Sequence, residues 1–181
     1  KALTVNGATA SDREYDGTTD VTLNVGGASL VGVVGGDTVN LVTGSATGAF
    51  ATKIVDVGKV VNIAGLSLGG GDAGSYTLGQ PTTTASITAK DLTTSGVTIA
   101  DKAYDGGTGA TLQLGGAALV GAIGGDTVGL DGSAGSATFD TATVGAGKAV
   151  TVVGLALNGV DGGNYTLSQP AGLTAGITAK A

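Results

Sequence analysis

The chain has 181 residues, 36 of them glycine, with 41% hydrophobic and 12% charged residues and a net charge of −6. It has no histidine and no cysteine, which excludes Ser-His-Asp and Cys-His catalysis, imidazole or thiolate metal ligation, and disulfides. Two prolines and no Gly-X-Y period exclude collagen, and alternating runs of Val, Leu and Ile exclude a disordered tail.

In chain order, the first motif is "REYDGTTD" (13–20), a tyrosine followed by Asp-Gly. "VTLNV" (21–25) then alternates Val21, Leu23 and Val25, the period of a half-buried strand. "SLVGVVGG" (29–36) is the one stretch read as helical, two or three residues of 3₁₀. "TVNLV" (38–42) reads as a strand. "KVVNIAGLSL" (59–68) sets Val61 and Ile63, then Leu66 and Leu68, at period two, which predicts a break in register at Gly65. "SYTLG" (75–79) and "TASITA" (84–89) complete the pattern with further short strands. The count is about seven strands, separated by turn signals every eight to twelve residues, as in a β-sandwich.

The whole pattern then occurs again. Tyr15 returns as Tyr104, an offset of 89 residues, and the same offset carries Gly36-Asp37, Phe50, Gly58-Lys59, Asp72, Tyr76 and Gln80-Pro81 onto the second half. About half of the aligned positions are identical. The expected domains are 1–89 and 90–181, with Lys180-Ala181 opening a third copy. The chain therefore reads as a two-repeat slice of a longer array. Each repeat is large enough to fold alone, unlike the short units of a solenoid. The expected fold class is all-β: two tandem immunoglobulin-like β-sandwich modules, elongated and joined by the short, β-branched junction at 87–96. A β-grasp-like module is the alternative, and it needs a helix. "DAGSYTL" (72–78) and "DGGNYTL" (161–167) have the Asp-x-Gly-x-Tyr form of a tyrosine corner, in which the hydroxyl ties its loop back to the backbone.

Each candidate site has a structural counterpart. Tyr15-Asp16-Gly17 and Tyr104-Asp105-Gly106 could stack and hydrogen-bond a sugar. As structure, Asp-Gly makes an Asx turn with positive φ while the tyrosine caps the core. Asp16, Asp72, Asp105 and Asp161 are weak calcium candidates, because Ca²⁺ takes several oxygens and no Asp-x-Asp-x-Asp loop is present. As structure, Asp72 and Asp161 cap turns ahead of Tyr76 and Tyr165. Residues 69–74 satisfy Gly-x-Gly-x-x-Gly, but a β pattern follows where a dinucleotide site needs a helix. Lys59 and Lys148 could form isopeptide bonds. Asn164-Tyr165-Thr166 is a glycosylation sequon that Ser75 breaks in the first copy. No cofactor is expected beyond that possible Ca²⁺.

Several elements together resemble the YDG-type repeat. These are Lys-x-Tyr-Asp-Gly, as in Tyr15-Asp16-Gly17 and Tyr104-Asp105-Gly106; Gly-Asp-x-Val-x-Leu at 36–41 and 125–130; Val144-Gly145-Ala146-Gly147-Lys148; and the closing Asp-x-Gly-Asn-Tyr-x-Leu at 161–167. The resemblance covers nearly the whole chain. Ser75, Gly107 and Asp56-Val57 depart from the pattern. Such repeats occur in arrays within very large secreted or surface-attached bacterial exoproteins, often of the filamentous-haemagglutinin type. The resemblance implies an extracellular stalk or spacer that carries a binding region away from the cell, and no enzyme. The alternative is that the repeats themselves adhere to glycan or host protein. Neighbouring repeats of the same chain are the first partners expected, and the slice alone is expected to be monomeric. An acidic chain, with a pI of about 4.2, is a poor match for a phosphate backbone, so nucleic acid is not an expected partner. No apolar run reaches membrane-spanning length, so membrane insertion is not expected.

Overall fold

The computed structural model describes residues 1–181. The chain divides into two compact units, Lys1–Thr88 and Ala89–Ala181, one residue from the boundary expected from the repeat.

The first unit holds strands β1 (Ala2–Asn6), β2 (Thr9–Ala10), β3 (Arg13–Glu14), β4 (Asp20–Val21), β5 (Leu23–Asn24) and β6 (Ser29–Val31). Then come β7 (Asn40–Val42), β8 (Thr47–Phe50), β9 (Asp56–Ala64), β10 (Ser67–Gly69), β11 (Thr77–Leu78) and β12 (Thr82–Thr88). The main sheet has the order β3-β12-β9-β8-β4, and β3 runs parallel to β12. β2 pairs with β5. Because β2 leads straight into β3, and β4 into β5, the sheet comes round on itself and is partly closed, like a barrel. A second group sets β1 between antiparallel β6 and parallel β11, and β7 pairs with β10.

The second unit repeats this plan with β13 (Lys90–Ser95), β14 (Thr98–Ala100), β15 (Lys102–Ala103), β16 (Gly109–Gln113), β17 (Ala118–Val120) and β18 (Gly129–Asp131). It continues with β19 (Ser136–Phe139), β20 (Gly145–Val153), β21 (Ala156–Asn158), β22 (Tyr165–Leu167) and β23 (Leu173–Thr178). Its main sheet runs β14-β16-β19-β20-β23-β15. Consecutive strands β14 and β15 stand at opposite ends of that order, so one stretch of chain again closes the sheet.

The strands are shorter and more numerous than the sequence pattern suggests, because long runs bend and pass from one sheet to the other. Gly65 is such a bend. It has φ +78°, and a Cβ there would lie 2.1 Å from the Ser45 carbonyl oxygen, so only glycine fits. Ile63 before it and Leu66 after it are both buried, which is the register break expected there. No α-helix forms. The short 3₁₀ turn expected within 29–36 is a correction: Ser29–Val31 is a strand, and the 3₁₀ turns are Ala73–Ser75 and Gly162–Asn164. The β-branched Val31 suits an extended backbone, and β1 pairs with it.

The two cores share most of their large buried side chains. Leu3, Phe50, Val61, Leu66, Tyr76 and Ile87 are buried in the first, and Leu92, Phe139, Val150, Leu155, Tyr165 and Ile177 in the second. Tyr15, at 1% exposure, breaks the match, because Tyr104 is 43% exposed.

Candidate functional site

The Tyr-Asp-Gly stretch follows β3 in the first unit and β15 in the second. Its backbone is held first: the Tyr15 N–H donates to the Thr88 carbonyl at 2.9 Å, and the Tyr104 N–H to the Thr178 carbonyl at 2.8 Å. Asp16 Oδ1 then accepts from the Thr18 N–H at 2.8 Å, and Asp105 Oδ1 from the Gly107 N–H at 2.9 Å. Between them, Gly17 and Gly106 have φ of +80° and +82°. Both copies are therefore Asx turns closed by a left-handed glycine. The basic residue ahead of each turn fastens it. Arg13 pairs with Asp16, and Lys102 Nζ lies 2.8 Å from Asp105 Oδ1 and 2.8 Å from the Gly107 carbonyl oxygen. Burial, the largest influence on Asp16, pulls its carboxyl up, but the bonds from Thr18 and Arg13 outweigh it and hold the group below the ordinary range. Lys102, then the Gly107 N–H, hold Asp105 below that range too.

The second constellation joins two motifs far apart in sequence. The Tyr76 hydroxyl accepts from the Val34 N–H at 3.0 Å and donates to Asp37 Oδ2 at 2.5 Å. Asp72 Oδ2 accepts from the Thr38 N–H at 2.8 Å. In the second unit Tyr165 bonds the Ile123 N–H at 3.0 Å and Asp126 at 2.6 Å, and Asp161 bonds the Thr127 N–H at 2.8 Å. The tyrosine thus reaches across to the loop 34–38, or 123–127, where a tyrosine corner would tie back within its own loop. The Asp37 acceptor, above all, raises the Tyr76 hydroxyl from its ordinary pKa.

Two further bonds belong to residues that sequence reasoning passed over. The Gln80 amide makes a pair of bonds to one residue, accepting from the Leu66 N–H at 3.1 Å and donating to the Leu66 carbonyl at 2.8 Å. Gln169 does the same to Leu155, at 3.0 and 2.8 Å. Each amide acts as one more strand residue beside a proline that cannot donate. Asp12 Oδ1 accepts from the Ser86 N–H at 2.6 Å, beside a shift in register between Ala85 and Ile87, and Asp101 does so from Gly176 at 2.5 Å. The signal for both was in the sequence: each recurs at the repeat offset.

Of the calcium candidates, Asp16 and Asp105 are engaged in their own turns. Asp72 and Asp161 are a correction: their side chains make no bond to the 3₁₀ turns they precede, because each reaches across to the Thr38 or Thr127 N–H of another loop. No group of three acidic side chains comes together. Lys59 Nζ bonds the Thr52 hydroxyl at 2.9 Å, and Lys148 bonds Thr141 and lies 3.4 Å from Asp140. Neither lysine meets the amide or paired acids that isopeptide chemistry needs. Asn164 of the sequon is 2% exposed, so its amide is out of reach of a glycosylating enzyme in the folded unit. Open clefts of about 340 and 240 Å³ meet at Asp20 and Val21 in the first unit.

With this geometry in place, the comparison with known families is decisive. The sequence model of the YDG domain matches residues 1–85 and again residues 88–172. The chain belongs to the YDG domain family. No curated protein and no solved structure matches it. The Tyr-Asp-Gly of each YDG domain is an Asx turn; in the first domain its tyrosine is core, and in the second the ring lies open.

Proposed function

We propose that these two YDG domains are structural spacer modules of a large bacterial surface or secreted protein, carrying a binding region away from the cell. One observation supports this most. The recurring polar residues (Asp12, Asp16, Asp37, Asp72, Tyr76, Gln80 and their partners) satisfy backbone groups or one another within their own module. Residues retained in both copies thus serve the scaffold. A spacer needs that, whereas an enzyme or a shared ligand site would leave some of them without a partner inside the module. Catalysis has no part in this reading, and the setting is extracellular.

In its finer form each module is an immunoglobulin-like sandwich. The first segment pairs antiparallel through β2 and then parallel with the last strand through β3, the switch between sheets that such a sandwich uses. As a spacer, the pair is expected to extend end to end in solution with little bending at the junction. Small-angle scattering of the 181-residue chain tests this: the pair distribution should show two maxima, with a long dimension near twice that of one module. A compact, side-by-side profile would overturn it. Glycan adhesion through both tyrosines has less support, since the Tyr15 ring is 1% exposed.

A further inference from the structure

We propose that the Tyr104 ring of the second YDG domain is a docking point for a lysine side chain of a partner protein. This goes beyond the spacer reading and does not depend on it.

The first domain supplies the template. There the Lys53 ammonium stands 5.8 Å from the centroid of the Tyr15 ring. That lies within the range at which the negative face of an aromatic ring attracts a cation. The position equivalent to Lys53 in the second domain is Ala142. A methyl group cannot reach the ring, and Tyr104 is left 43% exposed. The turn beneath is otherwise the same, with its left-handed glycine, its Asx bond and a basic residue pinning the carboxylate. The second domain therefore lacks the lysine that stands near this ring in the first, and its tyrosine is partly open to solvent.

The surroundings select a cation over a sugar. A sugar needs several donors and acceptors beside the ring, and Asp105 Oδ1 is already taken by Lys102 and the Gly107 N–H. What stays open is part of the Tyr104 residue, two-fifths exposed, next to a carboxylate whose side chain is 62% exposed, on a chain of net charge −6. Long-range attraction and the ring quadrupole both favour an ammonium group.

The test uses the full chain and a synthetic peptide of alternating lysine and threonine, with the same peptide acetylated at every lysine as control. The tyrosine ring resonances are followed by NMR. The lysine peptide should shift the Tyr104 ring saturably and leave Tyr15 unmoved, and acetylation should remove the effect. Ala142→Lys, which supplies the first domain's own cover, should weaken binding about two- to five-fold, the equivalent of the ~0.5–1 kcal/mol of an exposed cation–π contact. It should also move the free Tyr104 resonances toward their bound positions; unchanged Val150 and Val152 amide signals would show that the domain stays folded. No shift at Tyr104, an equal shift with the acetylated peptide, or full affinity in folded Ala142→Lys would each overturn the proposal.

Discussion

Tyr15 and Tyr104 occupy the same place in two copies of one turn, yet one is sealed in the core and the other stands 43% exposed. The hydrogen bonds around them are the same in kind: a backbone tie to the last strand, an Asx bond and a basic residue on the carboxylate. Beside the rings the sequences differ: Lys53, whose ammonium stands 5.8 Å from the Tyr15 ring centroid, is replaced by Ala142 in the second domain. The YDG signature therefore encodes a turn, and whether its tyrosine is core is decided elsewhere. A motif can keep its geometry while its exposure, and with it any binding role, changes from copy to copy.

The largest expected effect tests that separation. Tyr15→Ala removes a buried ring and should destabilise the first domain by ~3–5 kcal/mol, the range for large aromatic truncations. Tyr104→Ala should cost the second domain under about 1 kcal/mol, as surface changes do. Hydrogen exchange at Val61 and Val150, one core strand in each domain, reads the two separately. Equal losses would mean that the exposed ring supports its domain as much as the buried one.

The next pair should erase the difference between domains. Gln80→Ala and Gln169→Ala each leave a buried residue, Leu66 or Leu155, with its N–H and carbonyl lacking their amide partner. Each should cost ~1–3 kcal/mol, alike in both domains. Thermal unfolding followed by the same exchange probes measures this, and unequal losses would show that the two amides are not equivalent.

How much of this was legible follows the range of the forces involved. The repeat, the all-β class and the break at Gly65 rest on local pattern and could be read directly. The Asx turn was legible because its chemistry lies within three residues, Asp16 to Thr18. The partner of Tyr76 was not, since Asp37 and Val34 lie about forty residues away and only the folded sheets bring them close. The placing of 3₁₀ structure failed for a related reason. Residues 29–36 read as 3₁₀ in isolation, but β1 captures Ser29–Val31 as a strand. Tyr104 could not be told from Tyr15, because the two share the same motif and exposure is set by the folded surroundings.

A smaller effect comes from a pair exchanged between the domains. In the first, Asn40 on β7 faces Gly69 on β10; in the second, Gly129 on β18 faces Asn158 on β21. In both, the amide side chain lies over the opposing glycine, where an added Cβ would come within 3.0 Å of Asn40 Nδ2 or 2.5 Å of Asn158 Oδ1. One strand supplies bulk and the other supplies room. Gly129→Ala should therefore cost under about 1 kcal/mol, because only the movable end of the Asn158 side chain stands in the way, and adding Asn158→Gly should recover most of it. A double-mutant cycle in urea measures the coupling. Additive losses would show that the two residues do not share the space.

The smallest effect is set by pH, and it too is common to both domains. Asp16 and Asp105 are held below the usual carboxylate range in the folded chain. A lowered carboxyl stabilises the fold above its unfolded pKa of about 4, and that contribution drains away as pH falls through the folded value. Tyr76 is shifted the other way, because its hydroxyl donates to Asp37. A raised group contributes fully below its unfolded pKa of about 10 and loses its contribution as pH climbs past that. Stability should thus be flat between about pH 5 and 9, fall gently below about 4 and fall again above about 10. Asp16→Asn and Asp105→Asn should each soften the acid limb and leave the alkaline limb alone, while Tyr76→Phe should do the reverse in the first domain. If Tyr76→Phe left the alkaline limb unchanged, the bond between the tyrosine and the loop at 34–38 would not be what holds that loop at high pH.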